Sequence, residues 1–351
     1  MPSDPRKTFR THKNYLRAFD TSIGAYYLPT THPPFREGHD ILVALAEAMR
    51  ASPSFARLKE RDTSEIAPLR GILRNAWGTE FLLVSASHLP DDELMGIANN
   101  WAVVQAYYAC YHAAQALQVA RGQQRPESHP RTLQLYSQYW AERPVDLPPW
   151  SLGFQSKECR NLPIGRTIRP IHQWKGCDDD TCWSLIAMVL RTTRRDLLKA
   201  KYRDARRRKR SERRKQWEAN EQERGAKGLH AGKQPAWWAA MPTLSAEEKQ
   251  RIDEGLYQTT LLDYLCRLRL RSNYRDPTMF TDGPESHDQS RSVHQYLCGI
   301  TSATLLVHEL HVGQLIGQHR LADLVDEWLS VPAVESQGLG LAARQDILLH
   351  S

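Results

Sequence analysis

The stretch Trp101-Ala102-Val103-Val104-Gln105-Ala106-Tyr107-Tyr108-Ala109-Cys110-Tyr111-His112-Ala113-Ala114-Gln115-Ala116-Leu117 decides the fold class. It contains no proline, no glycine and no Lys, Arg, Asp or Glu, and its alanines favour helix. Extended in both directions, Ile97, Trp101, Val104, Tyr108, Tyr111, Gln115 and Val119 recur at helical spacing and form the expected core-facing stripe. Ala106, Ala109, Ala113, Ala114 and Ala116 let neighbouring helices approach closely. Pro90-Asp91-Asp92-Glu93 reads as a helix start, with carboxylates at the positive end of the dipole. Gly122 stands just past the other end. One long helix, from about residue 92 to about 121, is predicted at the heart of a mainly α protein.

Working outward, Ile66, Leu69, Leu73, Trp77, Phe81 and Val84 predict a helix over 64–86, and Ile41, Leu42, Leu45 and Met49 a short one over 40–52. A shorter helix over 131–142 carries Leu133, Leu135, Tyr136 and Tyr139. Ser245-Ala246-Glu247-Glu248 is a capping start for a helix running to about Arg271, and a last long helix spans 290–317. Residues 1–40 are basic and, around Pro29, Pro33 and Pro34, irregular. The 143–176 region is Pro-rich, and Ile164, Ile168 and Ile171 permit a short strand. A helix from Thr181 loses its apolar side at about Tyr202. Beyond that, Arg206-Arg207-Arg208-Lys209-Arg210 and Arg213-Arg214-Lys215 have nothing to bury and should project into solvent.

The 351 residues carry 47 Lys and Arg against 40 Asp and Glu, a net charge of +7, and 41% are hydrophobic. That share suffices for a packed core in one large or two ordinary domains. No run reaches the roughly 18–20 apolar residues of a membrane span, and Met1 to Tyr15 lacks the apolar run of a signal peptide, so a cytoplasmic protein is expected. The six cysteines fit a reducing compartment. Residues 191–224 alone hold fifteen Lys and Arg and six Asp and Glu, a local +9, so the rest of the chain is net −2. Such a rod can displace counterions from phosphates, with Trp217, Trp237 and Trp238 near enough to stack unpaired bases. The alternative is a solvated helix with local ion pairs, but six acids cannot neutralise fifteen bases.

The tyrosine-rich run resembles the second helix of HEPN-type bundles, with its paired tyrosines, small residue, and aromatic or His before two alanines. Ser128-His129 at a shorter helix fits the same family. Leu268-Arg269-Leu270-Arg271-Ser272-Asn273-Tyr274-Arg275-Asp276 looks like the turn before its last helix. The resemblance implies a HEPN-like helical bundle split by a long insertion with a protruding basic helix: an extension over 1–63, a first half over 64–142, the insertion over 143–244, a second half over 245–320 and a tail over 321–351. It implies a partner that is RNA or another nucleic acid, a homodimer or a protein partner, no membrane and no cofactor, in bacterial stress or antiphage defence. As an enzyme the chain would be a metal-independent endoribonuclease; otherwise it is a catalytically inert adaptor or subunit.

Family ribonucleases place an Arg and a polar residue four to six residues before a His, a cation for the phosphorane-like transition state and a base for the 2′-hydroxyl. Here Arg275 and His287 stand too far apart, while Arg291 with His294, and Arg125 with His129, stand too close. The candidate catalytic set is therefore composite: Arg271, Arg275 and His112, in a cleft lined by Tyr108, Asn273 and Tyr274. The alternative is that His112 packs in the bundle and the arginines cap helix ends. The candidate nucleic-acid contacts are Arg206, Arg207, Arg208, Lys209, Arg210, Arg213, Arg214, Trp237 and Trp238. Cys159, His172, Cys177 and Cys182 are ligand types that zinc takes, at an unusual spacing, with free thiols the alternative. His308-Glu309-Leu310-His311 has its histidines three apart where a metalloprotease needs four. No phosphate-binding Gly-rich loop, nucleophile elbow or kinase signature is present.

Overall fold

A computed structural model describes residues 4–28, 38–61, 66–142, 146–156, 158–162, 179–230, 232–238, 240–331 and 339–349. The protein is mainly α. Its elements are α1 (Pro5–Tyr27), α2 (Gly38–Arg50), α3 (Pro53–Ala56), α4 (Ile66–Ser85), α5 (Asp92–Ala120), α6 (His129–Trp140), β1 (Gly153–Gln155), β2 (Glu158–Arg160), α7 (Asp179–Ala226), α8 (Ala246–Glu254), α9 (Leu261–Leu270), a π-helical turn (Arg271–Arg275), α10 (His287–Ile316), α11 (Gln318–Leu329) and α12 (Gln345–Leu349).

The Asp91 side chain accepts the Leu94 amide at 2.9 Å and so starts α5. Gly122, at φ 74°, ends it in the left-handed region. Three neighbours, α10, α4 and α9, cover most of its circumference. Met95, Ala102, Val103, Ala106, Tyr107, Cys110, Ala113, Ala114 and Leu117 are buried among them. The stripe expected to face the core is only half right: Tyr111, Gln115 and Val119 are buried, but Ile97 and Trp101 are exposed and Val104 and Tyr108 are half-buried. The reason is that α5 is apolar nearly all round, so periodicity alone does not choose the buried face.

Three further features depart from the sequence reading. Residues 1–40 read as basic and Pro-rich, yet α1 is a 23-residue helix, capped by Asp4 with Pro5 in its first turn. Phe9, His12, Tyr15, Leu16, Phe19 and Ile23 line its buried face against α7 and α10. The helix expected from Ser245 to about Arg271 is two helices. Gly255 follows α8, and Thr260 with Asp263 forms a capping box for α9. Between them, Thr259 pairs with Phe154 of the β1–β2 hairpin. The strands considered around Ile164, Ile168 and Ile171 lie outside the described residues.

One continuous core links Phe9 near the start to Leu348 near the end and takes in Trp150, Trp183 and Ile186. At its C-terminal side Arg344, 1% exposed, reaches Glu80 and Glu309. The His-Glu-Leu-His run lies inside this core. His308 Nδ1–H donates to the Thr304 carbonyl while Nε2 accepts from the Trp140 indole. His311 donates to the Val307 carbonyl. Both are neutral packing groups, and burial pushes them down to about 4 and about 3.

Candidate nucleic-acid interface

Helix α7 has two regimes. Up to Arg194 it packs in the core through Thr181, Cys182, Trp183, Ile186, Val189, Leu190 and Thr193. Arg194 is itself buried. It donates to the Asp253 carboxylate at 2.7 Å and to the Asp253 and Tyr257 carbonyls at 2.7 and 2.8 Å, fixing the α8–α9 linker to α7. From Arg195 to Ala226 no side chain is buried. The whole helix is 48 residues, about 72 Å, long.

The basic residues of the outer half are not equivalent. Lys209 is paired with Glu248 of α8 at 2.7 Å. Arg210 and Arg214 both donate to the Trp238 carbonyl, at 2.9 and 2.8 Å, and the Arg214 guanidinium lies over the Trp238 ring. Trp217 packs its edge against Trp238, and Trp237 is also half-buried. Arg210, Arg214 and Trp238 therefore hold the 232–238 segment on the rod, and the Trp238 ring is engaged by Arg214 and Trp217. Arg207, Arg208 and Arg213 are exposed, Arg207 being 3.9 Å from Asp204.

Arg206 belongs to a different setting. With Lys199, Tyr202 and Arg203 it follows i, i+3, i+4, i+7 spacing, one face of α7. That face and Arg275, from the π-helical turn after α9, line a cleft of about 490 Å³. The one acid lining it, Asp196, is paired with Arg267 at 2.8 Å. Four cations from two chain segments 69 residues apart at their nearest, Arg206 and Arg275, thus surround one opening. The arrangement suits an anion with several oxygens, such as a phosphodiester.

The candidate catalytic residues divide between two sides of α9. Arg271 pairs with Asp276 at 2.8 Å and lies on the side of His12, whose protonation is opposed first by burial and then by Arg267 and Arg271. Arg275 joins the α7 cleft, and Asn273 and Tyr274 are exposed on the turn. His112 lies elsewhere, stacked on Tyr108 with ring centroids 6.1 Å apart. The cation beside them is Arg269, which sequence reasoning passed over. It donates to the Tyr108 hydroxyl at 2.7 Å and lies over the Tyr107 and Tyr108 rings at 4.9 and 5.3 Å. His129, opening α6, is 2.8 Å from the Tyr107 hydroxyl and packs on Tyr111. Burial lowers both His112 and His129, so each is a neutral base at pH 7. Two positions around a helix amount to about 200°, so Arg-Leu-Arg at 269–271 sends its arginines to opposite sides. That spacing was the available signal.

Of the zinc candidates, Cys182 is buried and Cys159 is half-buried, its thiol pushed up to about 12 by burial. His172 and Cys177 lie outside the described residues. Among the described residues, no group of three His, Cys, Asp or Glu is placed to hold a metal ion, and no helix is long and apolar enough to cross a membrane. Comparison with family models, with curated proteins and with solved structures finds no match.

Proposed function

We propose that this chain is a HEPN-like RNA-binding protein that captures the phosphate backbone on α7, in a bacterial stress or antiphage defence setting. The observation that supports this reading is the cleft in which Arg275 meets Lys199, Arg203 and Arg206. Dispersed surface charge does not need two distant segments to converge. Exposed Arg207, Arg208 and Arg213 extend the positive path along the rod. For single strands, log K falls with log salt by about 0.7 per phosphate neutralised, so four cleft contacts give a slope near −3. Titrating a labelled oligoribonucleotide at several salt concentrations tests this. Replacing Lys199, Arg203, Arg206 and Arg275 together by Ala should flatten the slope by that amount. Absent binding, or binding indifferent to salt, removes the proposal.

A second reading, RNA cleavage without a metal, is favoured by the cluster of His112, His129 and Arg269 around Tyr108. It has two neutral imidazoles to accept a 2′-hydroxyl proton and one guanidinium to stabilise phosphorane charge. Cleavage in excess chelator by the wild type, lost in Arg269→Ala and His129→Ala, supports the enzyme. Salt-dependent binding with no cleavage supports the inert adaptor.

A further inference from the structure

We infer that Trp101 and Tyr274 form a platform on which unpaired bases of a single-stranded RNA stack. The inference builds on the RNA-binding reading and adds a discrete base site to a backbone site. Trp101 is 64% and Tyr274 77% exposed, and Trp101 is the one exposed tryptophan among the described residues. Both rings sit on well-fixed backbone. Trp101 stands in mid-α5, and the π-helical turn that carries Tyr274 is held to it by the Ser272 hydroxyl, which donates to the Asn100 carbonyl at 3.1 Å. That bond keeps the two Cα atoms within roughly 15 Å of each other.

Charge selects the occupant. Arg275, next to Tyr274, lines the α7 cleft, and Arg269 holds Tyr108, two helical turns beyond Trp101 on the same face of α5. Toward the start of α5 the sign reverses: Glu93, Asp282 and Glu285 surround Ile97. Trp101 lies between the two, one helical turn from Ile97 and two from Tyr108, and Tyr274 beside Arg275 marks the cationic side. A polyanion whose backbone enters the α7 cleft at Arg275 reaches Tyr274 first and Trp101 across the π-helical turn. Trp237 and Trp238, the tryptophans suggested by their place in the sequence, fit this role less well, because Arg214 and Trp217 already occupy Trp238. Stacking on an aromatic is tolerant of base identity and contributes roughly 5- to 150-fold in affinity per base.

The test uses the full chain and two probes, a labelled oligouridylate and inorganic polyphosphate, which has the charge without the bases. Trp101→Ala and Tyr274→Ala should each weaken oligouridylate binding at least about fivefold and leave polyphosphate binding within about twofold. Trp101→Phe should recover most of the loss. In the wild type, oligouridylate should quench indole fluorescence and Trp101→Ala should abolish that change. Unchanged oligouridylate affinity in both alanine variants overturns the platform while the backbone reading stands. So does a fall in sedimentation mass in Trp101→Ala with RNA affinity retained, which assigns the face to a second copy of the chain. Failure of the wild type to bind either probe removes the underlying RNA reading as well.

Discussion

Replacing Arg344 by Met tests how the C-terminal segment is held. Arg344 is 1% exposed, and its carboxylate partners Glu80 and Glu309 are 0% and 1% exposed at the side chain. Its guanidinium spans Glu309 with bonds of 2.8 and 2.6 Å and reaches Glu80 at 2.6 Å. The Trp77 indole also donates to Glu309, and the Ser302 hydroxyl to Glu80. Burial raises the Glu80 carboxyl, and the Arg344 charge opposes that rise most strongly. Methionine keeps the length and loses the charge, leaving two carboxylates buried without their cation. Breaking such a group costs about 3–5 kcal/mol, a large share of the roughly 5–15 kcal/mol that domains possess. With a urea m-value near 3 kcal/mol/M, the midpoint at pH 7 should fall by about 1–1.7 M. In the variant the Glu80 carboxyl, raised by burial and no longer opposed by Arg344, holds its proton more tightly folded than unfolded. Its share of the deficit is therefore full above its folded value and shrinks as pH falls toward about 4.3. Adding Glu80→Gln and Glu309→Gln keeps acceptors for Trp77 and Ser302 and should restore most of the stability. A single Arg344→Met variant within about 1 kcal/mol of wild type at pH 7 refutes the buried triad.

Other groups give separate outcomes. His308 and His311 are held neutral, at about 4 and about 3 against an ordinary 6.5, so their contribution is full above pH 6.5 and is lost as pH falls from there toward 3. Urea midpoints across that range should decline, and less steeply in His311→Gln. Burial pushes the Asp20 carboxyl up to about 7, where it lies against Gly299 of α10. Its ionisation destabilises the fold progressively from about pH 4 to about pH 7, so Asp20→Asn should raise the midpoint at pH 8 and leave it nearly unchanged at pH 4. Arg194→Leu removes the donor that ties the α8–α9 linker to α7. It should cost about 3–5 kcal/mol and speed amide exchange over 254–260 ahead of the core of α5.

The mainly α class and most helix spans were legible because periodicity and caps act locally. Where the structure departs from that reading, the deciding interaction is not local. The orientation of α5 depends on three partner helices, so Trp101 was assigned inward by a stripe that its neighbours leave outside. In α1, Phe9, His12, Leu16, Phe19 and Ile23 do follow helical spacing, but the basic and proline-rich composition around them masks the pattern. The α8–α9 break rests on Gly255, Thr260 and Asp263, all visible, yet it takes the pairing of Thr259 with Phe154 to give the linker somewhere to go. The density of charge on α7 was plain from composition. Which arginines remain available was not, because Trp238 and Glu248 are brought onto the rod by tertiary folding.

The end of α9 explains why the sequence holds no single active-site run. Arg267, Arg271 and Arg275 are four apart and share a face, which turns toward α7: Arg267 meets Asp196 and Arg275 lines the cleft. Arg269 stands alone on the opposite face and meets Tyr108. One short segment thus supplies cations to two sites on different sides, one built for charge and one for aromatic rings and imidazoles. An Arg-to-His spacing in the sequence describes only a site whose two members share one helix. Here the histidines beside the Arg269 guanidinium come from α5 and α6, so the site's composition is fixed by packing among three helices and not by any interval along the chain.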